Sequence, residues 1–168
     1  MPTLTGSWVA MVLLLAVDQA SKIWVREAVP LYRSTELIPG FIDLTHVKNP
    51  GVSFSFLGNL PEGVRVPLLA GISVIAVVAL TVYWLRHRAA MNGFTEWAFL
   101  LILPGAVGNL IDRAWFGVVT DFFHFRLGQY SLFVNNIADI FISGGVACYL
   151  LGMLLARRKE QAQAQAGE

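Results

Sequence analysis

Asp121 and Asp139 are the residues of this chain whose chemistry is hardest to account for as scaffolding. An unmatched carboxylate is a proton donor or acceptor, suited to general acid–base work on water or a carbonyl. Asp139 has no Lys or Arg within a helical turn along the chain, and Asp121 has none nearer than Arg126. Other polar residues stand around them at helical spacing. Asp18 and Lys22 are four apart and share a helix face, as do Asn109 and Arg113, while Asn136 and Asp139 are three apart. Each of these also has a plain structural reading. Asp18 with Lys22 is an ion pair, Arg113 beside Asp112 is a snorkelling cation with a partner, and Asn136 is an interhelical hydrogen bond or a cap.

Other reactive constellations are weak. There is no His-Glu-x-x-His, and His46, His87 and His124 are scattered. His124 stands three after Asp121, but two groups do not make a metal site. Ser143-Gly144-Gly145 reads as small-residue helix packing, because no span carries a histidine to serve as a base for the serine. Cys148 is the single cysteine and lies in an apolar run, the setting of an inert thiol. No phosphate-cradling glycine loop is present. The expectation is therefore no metal and no cofactor. A net charge of +1 without a basic stripe argues against a nucleic-acid partner.

The elements that must position these residues are membrane spans. Of the 168 residues, 56% are hydrophobic and only 14% charged, where soluble domains have about a quarter charged. A span needs ~20 mostly apolar residues. Four segments qualify, at about 6–25, 66–85, 94–116 and 133–156, with Pro67 in the first turn of the second, where proline is tolerated. The apolar run Trp8 to Val17 resembles a signal-peptide core, but no cation precedes it and no small-x-small site follows, so it reads as the start of an uncleaved helix. Arg86 and Arg88 follow the second span, and Arg157, Arg158 and Lys159 follow the fourth. The positive-inside rule then puts both termini in the cytoplasm. Trp8, Trp84 and Trp97 would mark the inner interface, and Trp24, Tyr32 and Trp115 the outer one. The loops 30–65 and 117–132 are outer. Within the first, Ile38-Pro39-Gly40 reads as a turn and Phe41 to Lys48 as a short strand, and Gly117 is placed to end the third helix. The chain thus reads as one integral domain over 1–168, an all-α membrane protein of four transmembrane helices with a small periplasmic β-containing loop.

In this topology the spans alternate in direction, yet their polar residues converge near the outer face. Ionisable groups inside spans are expensive and usually face a bundle interior or a wet cavity. A small four-span transporter or proton-coupled channel is one alternative, which requires a polar path to the inner side. The second span and the inner half of the fourth offer only Ser73, Thr81 and Ser143 for it. A non-enzymatic assembly factor is another, which would leave Asp121 and Asp139 dispensable.

Five stretches resemble the lipoprotein signal peptidases (signal peptidase II): Asp18-Gln19-Ala20-Ser21-Lys22, Asn49-Pro50-Gly51-Val52-Ser53-Phe54, Gly105-Ala106-Val107-Gly108-Asn109-Leu110-Ile111-Asp112-Arg113, Val119-Thr120-Asp121-Phe122 and Asn136-Ile137-Ala138-Asp139. They occur in order across nearly the whole chain. The resemblance implies a membrane aspartic endopeptidase of the bacterial inner membrane with its site near the outer face. Asp121 and Asp139 match the family's catalytic aspartates. Asp18, Lys22, Asn49, Asn109, Arg113 and Asn136 match substrate-binding or supporting residues. The implied substrates are prolipoproteins bearing a diacylglyceryl group on a cysteine, cut just before that cysteine, with membrane lipid as the other partner. Thr120, Asn135 and Ile140 depart from the family pattern, which bears on pocket shape. Paired carboxylates in a desolvated site share a proton, so the ionised one activates water while the protonated one polarises the carbonyl.

Overall fold

The computed structural model describes residues 3–51 and 60–166. Four helices in it are long and apolar enough to cross a membrane: α1 (Leu4–Ala28), α2 (Glu62–His87), α3 (Gly93–Phe116) and α4 (Ile137–Ala166). Two strands, β1 (Ser34–Ile38) and β2 (Ile42–Asn49), lie between α1 and α2. Two more, β3 (Val119–Leu127) and β4 (Tyr130–Asn135), lie between α3 and α4. The strands form one antiparallel sheet in the order β1-β2-β3-β4.

Local chemistry sets the helix ends. The Thr3 hydroxyl accepts from Gly6 N–H at 3.1 Å and starts α1, and the Asn92 carbonyl accepts from Thr95 N–H at 2.9 Å and starts α3. Gly117 ends α3 in the left-handed region, φ 71°, which glycine adopts without a Cβ clash. Asn136 starts α4 with a reciprocal box. Its side-chain oxygen accepts from Asp139 N–H at 3.0 Å, and the Asp139 carboxylate accepts from Asn136 N–H at 3.2 Å.

Helix α3 is the axis of the bundle, packing on α1, α2 and α4. In lipid there is no hydrophobic drive between helices, so close approach of backbones supplies the packing. Gly105 and Gly145 make that approach possible. A Cβ on Gly105 would lie 2.6 Å from the Ala138 carbonyl oxygen, and one on Gly145 would lie 2.8 Å from that of Ala98. The Ser143-Gly144-Gly145 stretch therefore does pack helices. Large apolar residues of α1, α2 and α4, such as Val12, Leu13, Ile75, Val78 and Leu154, face outward, as a lipid solvent requires.

Several expectations change. The fourth helix begins at Ile137 and not at the expected residue 133, because Phe133 to Asn135 belong to β4, where Phe133 pairs with Phe125 and Asn135 with Phe123. An apolar run alone does not distinguish a buried strand from a helix. The loop 117–132 is mostly strand, and Phe123 to Leu127 alternates apolar with polar residues as a strand does. Residues 34–38, within the loop 30–65, form a strand. Pro67 sits in the second turn of α2, since that helix begins at Glu62. Trp84 is not interfacial. It is fully buried and donates its indole N–H to Glu96 at 3.0 Å.

Candidate active site

Asp18, Lys22, Asn109, Arg113, Asn136 and Asp139 all arrive at the end of the bundle that carries the sheet. Helix α1 supplies Asp18 and Lys22, both fully buried. Lys22 Nζ lies 3.0 Å from Asp18 Oδ2 and 3.8 Å from Asp112 Oδ2, and it donates to Asn109 Oδ1 at 2.9 Å. Four-residue spacing makes the first pair, and the crossing of α1 on α3 makes the others. Gly108 on α3 leaves the room for Asp18; a Cβ there would collide with the Asp18 carboxylate. That carboxylate also accepts from Ala138 N–H at 2.9 Å. It therefore caps the first turn of α4 from another helix, where a negative charge also meets the positive end of the helix dipole.

A second carboxylate, Asp112, is equally well matched. It lies 3.3 Å from Arg26 Nη1 and accepts from Thr120 N–H at 2.9 Å. The Thr120 hydroxyl accepts from Arg26 at 3.0 Å. Thr120 thus ties β3 to α1 and α3. Arg26 and Asp112 are supporting residues that sequence reasoning missed, since the signal lies in a contact between elements and not in any spacing.

Asp121 and Asp139 differ from these. Among the described residues neither makes a salt bridge. Asp121, on β3 and almost fully buried, accepts from Asn136 Nδ2 at 2.6 Å and from Asn49 Nδ2 at 2.8 Å. Asp139, in the first turn of α4 and half-buried, accepts from Asn109 Nδ2 at 2.8 Å as well as from Asn136 N–H. Asn136 also donates to Asn109 Oδ1 at 3.2 Å. One asparagine therefore bridges the two carboxylates, and a second links them to Lys22. Asn49 is held at the end of β2 by Gly51, whose N–H donates to its side chain at 2.8 Å. Val52, Ser53 and Phe54, the rest of that matched stretch, lie outside the described residues. Arg113 donates to the Asn109 carbonyl at 3.4 Å, and its charge faces Asp139, Asp121 and Asp112.

The electrostatic consequence is clearest at Asp121. Burial pushes its carboxyl up to about 6; the neighbouring Asp139 adds to the rise, while Asn49, Asn136 and Lys22 oppose it. Such a group exchanges a proton near neutral pH. The arrangement suits two carboxylates sharing a proton, with Asp121 buried and Asp139 half-buried.

The remaining candidates fall elsewhere. His124 points away from Asp121, lying 3.4 Å from Asp43 Oδ2 and 2.8 Å from the Ser131 hydroxyl. Asn135 is half-buried at the end of β4 and Ile140 is exposed, so neither enters the network. Between the site and the opposite end of the bundle lies an apolar layer that includes Met11, Phe99, Leu100 and Leu103.

A family model for signal peptidase (SPase) II matches residues 10–155. Among curated relatives, a lipoprotein signal peptidase of Gloeobacter violaceus is 39% identical over 94% of this chain and 87% of its own length. That of Desulforapulum autotrophicum is 39% identical over 82% and 85%. A solved structure described as a bacterial membrane enzyme, obtained by the in meso method at 1.9 Å resolution, superposes with a TM-score of 0.78. It is 30% identical and covers 90% of this chain and 94% of its own. The match spans all four helices and the sheet, so the chain belongs to the signal peptidase II family of multi-pass bacterial membrane proteases.

Proposed function

We propose that this chain is an aspartic endopeptidase that removes the signal peptide from diacylglyceryl-modified prolipoproteins, cutting before the modified cysteine. One observation carries the catalytic assignment: Asp121 and Asp139 are joined through Asn136 and, among the described residues, are left out of the salt bridges around them. Asp121, whose surroundings resist its charge, carries the shared proton and polarises the scissile carbonyl. Asp139 takes the proton of the attacking water. As the tetrahedral intermediate collapses, the C–N bond breaks and the amine leaves with a proton from the pair. Asn109 and Asn136 hold both carboxylates in register, and Asn49 anchors Asp121 from the sheet. Arg113 and the amide groups orient the substrate backbone.

The whole chain acts as one integral membrane domain with both termini in the cytoplasm and the dyad at the outer face. There a lipid anchored in the outer leaflet would hold the end of a signal-peptide helix. Single cysteines at Gly40, Asn92 and Gln163, in a Cys148→Ala background, test this with an impermeant label on intact cells. Labelling at Gly40 alone is expected; labelling at Asn92 or Gln163 without Gly40 would invert the topology. The activity is tested by incubating the purified protein with a lipid-modified prolipoprotein. A shorter product is expected from the unmutated enzyme and none from folded Asp139→Asn.

A further inference from the structure

The geometry of the dyad depends on what holds its carboxylates from behind as well as on the amides between them. Asp121 lies near the start of β3, where the sheet narrows to β2 and β3. There Val119, Thr120 and Asp121 pair with Asn49, Lys48 and Val47, whereas β4 reaches only as far as Phe123 and β1 only as far as Thr45. The ladder between β2 and β3 is also irregular between Leu44 and Val47, which separates these pairs from the rest of the sheet. A bulge disrupts the ladder locally and bends the strand. A few pairs on one side, beyond a bulge, are a weak hold for a carboxylate that must stay in register with Asp139.

Thr120 supplies the missing hold. Successive side chains of a strand point to opposite faces, so Asp121 meets Asn49 and Asn136 while Thr120 meets α1 and α3 on the reverse side. The Thr120 N–H, with no β4 residue opposite it, donates to Asp112 Oδ2 at 2.9 Å. Its hydroxyl accepts from Arg26 Nη1 at 3.0 Å, and the same nitrogen lies 3.3 Å from Asp112 Oδ1. The Arg26 guanidinium rests over the Phe116 ring, 4.5 Å from its centroid, which orients it further. Thr120 and Asp112 are buried, whereas Arg26 is partly exposed, and its contacts among the described residues stop short of Asp121 and Asp139. Asp112 Oδ2 also lies 3.8 Å from Lys22 Nζ, which donates to Asn109, and Asn109 donates to Asp139. Both members of the dyad are therefore referred to one carboxylate behind them, Asp121 through Thr120 and Asp139 through Lys22 and Asn109.

We propose that Thr120 and Arg26 are positioning residues for Asp121. The hydroxyl–guanidinium pair pins the start of β3 to the end of α1, so that the Asp121 carboxylate meets the scissile carbonyl in register with Asp139. The pair acts on the chemical step and leaves substrate binding alone, because it stands behind the strand and apart from the amides around the dyad. The inference rests on the aspartic protease reading and adds to it the part of the scaffold that sets the dyad's spacing. Misplacing a catalytic group by about 1 Å can cost ~100-fold in rate. Loss of one anchor among several should cost less, about tenfold.

The test compares Thr120→Val, which keeps the branched shape and removes the hydroxyl, with Thr120→Ser, which keeps the hydroxyl. Cleavage of a lipid-modified prolipoprotein in detergent gives kcat and KM, and Tm is read beside them. Thr120→Val should lower kcat about tenfold with KM within about twofold, and Thr120→Ser should return kcat to within about threefold of the unmutated enzyme. Thr120→Val changes no charge, so a displaced Asp121 also shows in the pH profile. A carboxyl moved away from Asp139 and toward water titrates lower, which carries the alkaline limb of kcat/KM to lower pH. Arg26→Gln, too short to reach Thr120, should lower kcat at least as much, and adding Thr120→Val to it should change kcat by less than about twofold. A fall in Tm with normal turnover per folded molecule, a rise in KM alone, or a Thr120→Ser enzyme no better than Thr120→Val would overturn the proposal. Arg26 is partly exposed, so Arg26→Gln decides the question if Thr120→Val fails to fold. Folded Asp139→Asn keeps the two readings apart. Normal cleavage by it removes the protease reading and this inference together, whereas an inactive Asp139→Asn beside a normal Thr120→Val removes this inference alone.

Discussion

Two ends of the same bundle bury carboxylates, and they treat them differently. At the end away from the sheet, Glu96 of α3 accepts from the Trp84 indole of α2 at 3.0 Å and from the Ser7 hydroxyl of α1 at 3.1 Å, and it lies 3.3 Å from Arg88. Three helices are tied by one carboxylate with a cation beside it. At the sheet end, Asp18 and Asp112 are matched in the same way by Lys22 and Arg26. Asp121 and Asp139 are surrounded instead by amides. A buried charge needs a partner to be a good staple. Amides supply direction and hydrogen bonds, and the cations nearby, Arg113 and Lys22, act on this pair without a direct ion pair among the described residues, an arrangement that suits the shared proton proposed above. On the proposed function, matched carboxylates belong to the scaffold and the amide-lined pair to the chemistry.

The sharpest way to break that comparison is to neutralise each kind of carboxylate and read turnover apart from folding. Asp121→Asn and Asp139→Asn should each lower turnover by on the order of a thousandfold or more, ~4 kcal/mol of barrier. The double variant should be scarcely worse, because residues acting as a unit are strongly non-additive. A cleavage assay in detergent, beside a check of folding, measures this; near-normal turnover in folded Asp139→Asn would end the aspartic assignment.

Glu96→Ala should do the reverse. It removes the acceptor of a buried indole N–H and breaks a buried ion pair, at a cost of about 3 kcal/mol or more in stability. Turnover per folded molecule should remain within about threefold of the unmutated enzyme. Loss of turnover with an unchanged Tm would mean that the two ends are not divided as described.

Asp121 offers a subtler measurement, because its carboxyl is held up at about 6. The folded state then binds that proton more tightly than the unfolded chain does. Asp121 therefore lowers stability progressively as pH rises from about 4 to about 6 and by a constant amount above that. A shift of about two units corresponds to at most ~3 kcal/mol, and mismatched hydrogen bonds in the asparagine variant offset part of it. Asp121→Asn should thus gain Tm relative to the unmutated protein at pH 7.5 and lose that gain at pH 4. The alkaline limb of kcat/KM should fall within about a unit of pH 6, with kcat extending higher once substrate excludes water. A Tm difference independent of pH would contradict the burial argument.

The smallest expected effect concerns Asp18 and Lys22. Asp18→Asn and Lys22→Met should each weaken stability or activity, with a coupling of about 1–2 kcal/mol in the double-mutant cycle. The Asp18 cap on Ala138 N–H is lost in part in both Asp18 variants, so a residual effect of Asp18 alone is expected. Strict additivity would mean that the pair does not act together.

Much of this was legible along the chain. Four apolar segments announce four helices because lipid forces each backbone to satisfy its own hydrogen bonds. The i,i+4 pair Asp18–Lys22 and the Asn136–Asp139 box are set by helix periodicity, and the stop at Gly117 by glycine's freedom to adopt the left-handed conformation. The same reasoning placed the polar residues of three spans at one depth, which is where the fold gathers them. It failed where an apolar run passes from strand to helix at Asn136, because hydropathy has no period there to read.

The partner of each carboxylate was decided only by the tertiary structure. Nothing in the spacing says that Asp18 reaches Ala138, that Asp112 takes Arg26 and Thr120, or that Trp84 turns inward to Glu96. The first depends on how closely α1, α3 and α4 cross at Gly105 and Gly108, and the last on how α2 packs against the start of α3. The sequence alone fixes which residues can ionise and at what depth, since both follow from residue type and helical rise. Which of them are neutralised, and which keep a mobile proton, follows from contacts between elements far apart in the chain. Charge pairing acts over a few ångströms of space and takes no account of separation along the chain.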